Sequence, residues 1–216
     1  NSAIIVACDS AFSLLVNNGI IPHFVATIER KDILANFYKG ISETSKTVLL
    51  CPPLVDPKVF EYFGGKKINV FNNNKTFTWL PFTKEQYYLG ATCSTLAFTA
   101  LYIMGCDPIV LVGNDLSYNP EDGESHSPGV IENNDANFNL EPNGYKKVRA
   151  LGNNGQMIWT KLTWSQFRRE YELMIFNRKI NAINAIPLNR GLKIQGTQVM
   201  EPAEAFSKYF SGNFDI

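Results

Sequence analysis

The sequence predicts an α/β fold, a single domain with a mostly parallel sheet, helices on both of its faces and a long polar lid loop. Two observations lead to this class. Short apolar runs of strand length alternate with segments of helical periodicity, as in βαβ units. The central stretch Gly90–Tyr118 contains a helix, a tight stop and a continuous apolar run in the order that such a unit requires. A chain of 216 residues is long enough for one such domain.

The first part of the chain predicts four strands. They are Ala3–Cys8, Phe24–Ile28, Thr47–Cys51 and Lys67–Phe71. We expect Asp9 and Asp32 to cap the helices after the first two strands, because a carboxylate accepts the free N–H groups of a first turn. Asp56-Pro57 begins a third helix, with proline at its first position.

The central stretch predicts the best-defined helix and strand. Thr92 and Ser94 can cap the helix through their hydroxyls, and Gly105 suits a left-handed C-terminal cap. Ile109–Val112 is a continuous apolar run, which predicts a strand that is covered on both faces.

The last part of the chain begins with a polar loop, Asn119–Lys147, whose length and position predict a lid. The elements predicted after it are a hairpin of Val148–Leu151 and Gln156–Trp159, a helix with a capping box at Thr163–Gln166, a strand at Ile180–Ala185 and a helix at Pro202–Phe210.

Composition excludes several classes of partner. Twenty basic and twenty acidic residues cancel, which argues against a broad electrostatic surface for nucleic acid or an anionic membrane. No apolar run approaches the roughly 20 residues that span a bilayer. The four cysteines form no C-x-x-C pair, so we expect reduced thiols in a cytoplasmic protein and no zinc site. Because residue 1 is Asn, we also expect a fragment of a longer chain.

The start of the central helix is the first part of a candidate site, since ligands of open α/β sheets bind beyond the strand ends and at helix N-termini. Ala91, Thr92 and Ser94 offer hydroxyls and free N–H groups there, which suit an anion such as a nucleotide phosphate. Ordinary helix capping would use the same groups.

The exit of the Ile109–Val112 strand is the second part. Asn114 and Asp115 can bind sugar hydroxyls or an amide edge, and Asp115 can hold a metal, although both residue types also favour turns. Tyr118 can donate to a phosphate oxygen or pack beneath the loop. His126 is of the type that commonly serves as general acid or base, and an exposed histidine without a role is the alternative.

Motifs spread over most of the chain carry a resemblance to a known family. They are Gly90-Ala91-Thr92-Cys93-Ser94, Gly105–Pro108, Gly113–Tyr118 with His126 downstream, Asn18–Val25, Ile180-Asn181-Ala182 and Gly191–Thr197. Together they resemble the Maf (motility-associated factor) flagellin glycosyltransferases. The chain departs from the family pattern in two ways: His23 stands where the family usually has Asp, and the family's opening strand with its G-x-G-P-S-type loop is absent.

The resemblance implies a Rossmann-like, nucleotide-sugar-binding domain similar to bacterial sialyltransferases. The donor would be a CMP-activated nonulosonic acid, and the acceptor a Ser or Thr hydroxyl of flagellin, with no metal required. Carried over to this chain, Ala91–Ser94 would contact the phosphate and ribose of the nucleotide. Asn114 and Asp115 would bind the cytidine or the ribose. Tyr118 would steady the leaving phosphate, and His126 would be the base.

Two alternatives stay open. The same domain type resembles an archaeal 6-hydroxymethyl-dihydropterin pyrophosphokinase, which would use ATP and Mg²⁺ with Asp9, Glu29 or Asp115 as metal ligands. The third interpretation is a non-catalytic domain that binds a sugar nucleotide or a partner protein.

Overall fold

A computed structural model of the chain describes residues 3–28, 30–72, 79, 88–119 and 147–210. The chain divides into two compact units, an N-terminal unit of Ile4–Met104 and a C-terminal unit made mainly of Gly105–Ile216. Both units contain parallel strands connected by helices, which confirms the predicted α/β class. Among the described helices, none has the length and apolar character that crossing a bilayer requires.

The N-terminal unit is built on a four-stranded parallel sheet in the order β1-β2-β3-β4. Its strands are β1 (Val6–Cys8), β2 (Phe24–Ala26), β3 (Val48–Cys51) and β4 (Lys67–Asn69). Its helices are α1 (Asp9–Asn17), α2 (Pro57–Tyr62) and α3 (Cys93–Ile103), with 3₁₀ helices at Asp32–Phe37 and Ser42–Lys46. Because all four strands run parallel, their carboxyl ends lie along one edge of the sheet.

Both faces of this sheet are covered at β2. Val25 and Ala26 are both fully buried, and neighbouring residues of a strand point to opposite faces. Ala26 packs against Leu96 and Ala97 of α3, with Val6 at the margin of the same cluster. Helix α3 therefore covers the face to which Ala26 points.

Three aromatic rings form a second cluster in the N-terminal unit. The ring centroid of Tyr38 lies 5.9 Å from that of Phe12 and 5.4 Å from that of Phe63, and the Tyr38–Phe63 pair is T-shaped. The Phe12 and Phe63 centroids are 6.3 Å apart. This geometry is one that aromatic pairs prefer, and it holds α1 and the 3₁₀ segment before Tyr38 together.

The C-terminal unit contains a three-stranded parallel sheet in the order β5-β8-β9 and a separate antiparallel hairpin, β6-β7. Its strands are β5 (Ile109–Val112), β6 (Lys147–Leu151), β7 (Met157–Lys161), β8 (Ala182–Ala185) and β9 (Thr197–Met200). Its helices are α4 (Leu162–Arg178) and α5 (Pro202–Phe210). Ile183, Ala185, Met200 and Ala205 form a buried cluster that joins β8, β9 and α5.

Local signals placed several of these elements correctly. Ile109–Val112 and Pro202–Phe210 match the predicted ranges residue for residue, and the hairpin is confirmed with Arg149 opposite Trp159. The Asp56 carboxylate accepts from the Lys58 N–H at 2.9 Å, so the predicted cap of α2 is also confirmed. Gly105 has a φ of +78°, the left-handed conformation predicted for the residue after α3.

Four local predictions are wrong. Asp9 and Asp32 are the first residues of their helices rather than caps, and Cys8 and Lys31 occupy the two cap positions. Helix α4 begins at Leu162, so the box predicted at Thr163 does not form. Val112 is 60% exposed, so the end of β5 is not covered on both faces. The predicted lid falls almost entirely outside the described residues.

Candidate functional site

The start of α3 is organised by three hydroxyls. The Thr95 N–H donates to Oγ1 of Thr92 at 3.1 Å, and the Thr92 N–H donates to Oγ1 of Thr95 at 3.0 Å, which is a reciprocal capping box. Oγ of Ser94 lies 3.0 Å from Oγ1 of Thr92. Ala91 is exposed, and Thr92 and Ser94 are partly exposed. The capping role is therefore confirmed for Thr92, whereas Ser94 lies within the first turn of α3 and is not the cap. This turn remains accessible to an anion.

The carboxyl edge of the N-terminal sheet carries a buried carboxylate. Asp9 follows β1 directly, and its side chain is 4% exposed. Oδ2 accepts from Oγ1 of Thr27 at 3.0 Å, and Oδ1 accepts from the Ser10 N–H at 2.7 Å. A carboxylate in the first turn of a helix also interacts favourably with the helix dipole. Thr27 follows β2, so the ends of two neighbouring strands meet at this carboxylate.

Tyr38 lies beside this carboxylate and was not predicted as a site residue. It is fully buried, and its hydroxyl makes no hydrogen bond of acceptable geometry in the described part of the chain. Burial raises the pKa of the Tyr38 hydroxyl well above its usual value, and the negative charge of Asp9 raises it further. The Thr27 side chain approaches the Tyr38 hydroxyl and lowers that pKa in part, although the pair does not meet the geometry of a hydrogen bond. The hydroxyl is therefore neutral at physiological pH and able to donate.

In the C-terminal unit, the exit of β5 is fixed by the loop that precedes β9. The Leu192 N–H donates to the carbonyl oxygen of Asp115 at 2.8 Å. Gly191 has a φ of +77°, and a Cβ there would lie 2.5 Å from Cδ1 of Ile186 and 3.3 Å from the Asp115 carbonyl oxygen. Only glycine fits this close approach without displacement.

Two polar side chains at the same exit are desolvated. Burial raises the pKa of the Asp115 carboxyl, and the positive charge of Arg190 lowers it in part. Nδ2 of Asn114 is buried and has no acceptor among the described residues. A buried amide group without a partner next to a half-buried carboxyl is a feature that a ligand could satisfy.

The backbone after Asp115 has an uncommon conformation. Leu116 has a φ of +51°, which for a residue with a Cβ costs roughly 1–3 kcal/mol. Oγ1 of Thr160 donates to the Leu116 carbonyl at 2.7 Å and holds that conformation. Such strain is common at binding sites, where it aims the following side chains.

Tyr118 borders a cavity of about 540 Å³ in the C-terminal unit. Its N–H donates to the Trp159 carbonyl at 3.1 Å, and its ring centroid lies 5.2 Å from that of Trp164. Nζ of Lys147 lies 4.5 Å from the Tyr118 ring centroid. Burial raises the pKa of the Tyr118 hydroxyl.

The predicted site residues thus fall into two sets. Asn114, Asp115 and Tyr118 lie together after β5, while Ala91, Thr92 and Ser94 open α3 in the other unit. That the two sets share one cavity stays a prediction. His126 lies outside the described residues. Among the described residues, no cluster of three metal-ligating side chains occurs.

The sequence contains only weak signals for the site residues that were not predicted. Arg190 directly precedes the Gly191–Thr197 motif, but nothing in the local sequence indicates that it lies close to Asp115. Tyr38 and Thr27 had no local signal, because their environment is made by residues distant in sequence.

The fold of the chain is similar to that of a solved protein structure. The fold matches a Maf glycosyltransferase from Magnetospirillum magneticum AMB-1 with a TM-score of 0.71 and 23% sequence identity. The match covers 93% of this chain and 30% of that structure's chain, so this chain spans less than a third of that protein's length. No curated protein sequence matches the chain.

The family follows from the sequence. Residues 1–121, more than half of the 216, match the family described as 6-hydroxymethylpterin diphosphokinase MptE-like. The chain therefore belongs to the MptE-like family. The motifs predicted a resemblance to the Maf glycosyltransferases and to the pterin pyrophosphokinases. The fold match confirms the first and the family match confirms the second.

Proposed function

We propose that the chain is a glycosyltransferase domain that transfers a nonulosonic, sialic-acid-like sugar from a CMP donor to a Ser or Thr hydroxyl of flagellin. The observation that carries the proposal is the extent of the two likenesses. The likeness to the Maf glycosyltransferase covers 93% of the chain, whereas the diphosphokinase family match ends at residue 121. The C-terminal unit thus has a counterpart in the glycosyltransferase, and we expect its activity in the cytoplasm.

The chemistry requires a leaving phosphate to be stabilised and a hydroxyl to be activated. The acceptor oxygen forms a bond to the anomeric carbon of the sugar, the bond from that carbon to the phosphate oxygen breaks, and CMP leaves with the electron pair. Ala91, Thr92 and Ser94 would hold the phosphate at the start of α3, where N–H groups and the helix dipole favour negative charge. Tyr118 would donate to a phosphate oxygen.

The remaining roles concern the nucleoside and the proton. Asn114 offers a buried amide group and Asp115 a half-buried carboxyl, and both suit the cytidine base or the ribose hydroxyls. His126 would take the acceptor proton, because a histidine near neutral pKa is suited to general base catalysis. Replacement of His126 by Ala should lower turnover about 100-fold or more without weakening CMP binding. Unchanged turnover would reject this role.

The alternative is a Mg²⁺-dependent pyrophosphokinase that acts on 6-hydroxymethyl-dihydropterin. The description of the MptE-like family favours it. Asp9, Glu29 or Asp115 would hold the metal, and Asp9 and Asp115 are among the described residues. A non-catalytic domain that binds a sugar nucleotide or a partner protein is the further alternative.

Calorimetry with CMP, ATP and 6-hydroxymethyl-dihydropterin, each with and without Mg²⁺, separates these functions. The glycosyltransferase should bind CMP without Mg²⁺, and the Ser94→Ala variant should bind it more weakly. Ser45→Ala is the matched control, because Oγ of Ser45 is exposed and bonds only the Ser42 carbonyl. ATP binding that depends on Mg²⁺, without CMP binding, would support the kinase instead.

A further inference from the structure

The cavity of the C-terminal unit has the size of a small-molecule site. It measures about 540 Å³, within the usual range for ligand pockets. Strand β7, the strand exit after β5 and the loop before β9 form its walls. Its lining is Ser117, Tyr118, Asn119, Lys147, Met157, Ile158, Trp159, Asn189, Arg190 and Gly191.

The described part of its lining carries positive charge. Lys147 and Arg190 line the cavity, and none of the described lining residues is acidic. Nε of Arg190 is buried and has no acceptor among the described residues. Asp115 is not among the described lining residues. Burial raises the pKa of its carboxyl and the positive charge of Arg190 lowers it in part, so this carboxyl offsets part of the Arg190 charge but none of the Lys147 charge. The cavity therefore favours an anion.

One wall is apolar and aromatic. Trp159 is 53% exposed and Met157 is 49% exposed, although both are large apolar side chains. The guanidinium carbon of Arg149 lies 5.5 Å from the Trp159 ring centroid, and the Arg149 Nη2 donates to the Met157 carbonyl at 2.7 Å, which fixes that part of the wall. An exposed, fixed indole is suited to packing against a ring.

Two cations of the hairpin lie over aromatic rings. Lys147 and Lys161 are directly opposite each other in β6 and β7. Nζ of Lys147 lies 4.5 Å from the Tyr118 ring centroid, and Nζ of Lys161 lies 4.5 Å from that of Trp164. Aromatic faces attract these ammonium groups electrostatically. Between residues 147 and 169 the sequence has five basic residues and no acidic one.

We propose that this cavity binds a small anion in which a phosphate or carboxylate is attached to a ring. Arg190 and Lys147 receive the anionic group, and Trp159 packs against the ring. Tyr118 also lines this cavity, and the proposed function already has it donate to a phosphate oxygen, so the inference rests partly on that function. It adds Arg190, Lys147 and Trp159 as binding residues. Phosphate and carboxylate share this chemistry, and the probes below distinguish them.

The test compares four probes on the intact chain by calorimetry and by NMR of the indole N–H groups. CMP carries a phosphate on a nucleoside, N-acetylneuraminic acid carries a carboxylate on a sugar ring, cytidine lacks the anion and inorganic phosphate lacks the ring. CMP, N-acetylneuraminic acid or both should bind at least tenfold more tightly than cytidine and inorganic phosphate. The Trp159 indole signal, assigned with a Trp159→Phe variant, should shift.

Single substitutions test which side chains bind the anion. Arg190→Gln should lower the affinity for the anion about tenfold or more. Arg190→Lys should restore part of the affinity, because lysine keeps the positive charge but lacks the paired N–H donors of the planar guanidinium. The fold should survive, since the Asn153 amide bonds the Arg190 carbonyl rather than its side chain. Lys193→Gln is the control, as Lys193 is an exposed cation three residues away that does not line the cavity.

The outcomes separate this inference from the proposed function. CMP binding that is lost in Ser94→Ala but unchanged in Arg190→Gln and Lys147→Gln would overturn the inference and leave the transferase intact. Anion binding that is lost in Arg190→Gln, in a protein without transferase activity, would support the inference alone. Equal affinity for CMP and cytidine, or binding of none of the four probes, would overturn it.

Discussion

Replacement of Tyr38 by Phe should stabilise the protein. The change removes only the hydroxyl, which is fully buried and makes no hydrogen bond of acceptable geometry among the described residues. The ring remains, so the contacts at 5.4 Å with Phe63 and 5.9 Å with Phe12 are kept. Burying a hydroxyl without a partner costs about 1–3 kcal/mol in proteins. We therefore expect the free energy of unfolding to rise by about 1 kcal/mol.

Urea unfolding measures this change. For a slope of about 2.5 kcal/mol per molar urea, the midpoint should rise by about 0.4 M. Tyr62→Phe is the control, because Tyr62 is partly exposed and its change should stay within about 0.5 kcal/mol. A loss of stability of about 1 kcal/mol in Tyr38→Phe would refute the reasoning, since it would mean that the hydroxyl has a good hydrogen bond in the folded state.

Three further predictions concern the strand ends and the cap of α3. Thr92→Val should lower the free energy of unfolding by about 1 kcal/mol through loss of the capping box, whereas Thr92→Ser should change it little; equal urea midpoints for the two variants would contradict this. Because burial raises the pKa of Asp115, its folded form binds the proton more tightly than its unfolded form, so stability should fall as pH rises from about 4 through that pKa. Thermal unfolding between pH 4 and pH 7 should show a smaller fall in Asp115→Asn and a larger fall in Arg190→Gln; identical profiles would exclude the coupling. Gly191→Ala should cost more than 1 kcal/mol, because its Cβ would meet Ile186 in a left-handed backbone conformation, and a urea midpoint equal to that of the parent would contradict the close approach.

The sequence was sufficient wherever the determinants are local. The apolar run Ile109–Val112, the hydroxyls before α3 and the Asp56-Pro57 pair define their elements through neighbours a few residues away. The alternation of strands and helices was likewise enough for the α/β class. The order of strands within each sheet had no comparable signal, because parallel neighbours are joined by long connections.

The sequence was insufficient where tertiary contacts decide. Asp9 has the residue type of a cap, yet its carboxylate is held by Thr27, 18 positions away. The residues Thr163–Gln166 have the pattern of a capping box, which predicts a helix start, but β7 leads directly into α4 at Leu162. Arg190 acts on the carboxyl of Asp115, far away in sequence, so no local pattern could indicate it.

The motif resemblance supplied what local patterns could not. It led to the Maf fold and to the MptE-like family, both of which the comparisons with known proteins bear out. The roles of Ala91, Thr92, Ser94, Asn114, Asp115, Tyr118 and His126 stay predictions, since residue roles depend on the ligand and not on the fold.

The most direct test of the transferase proposal is transfer itself. The protein is incubated without Mg²⁺ with a CMP-activated nonulosonic acid and flagellin, and the acceptor is then analysed by mass spectrometry. The account predicts that flagellin gains the mass of one sugar residue at a Ser or Thr and that CMP is released in equal amount. An unmodified acceptor, together with Mg²⁺-dependent release of AMP from ATP in the presence of 6-hydroxymethyl-dihydropterin, would contradict it.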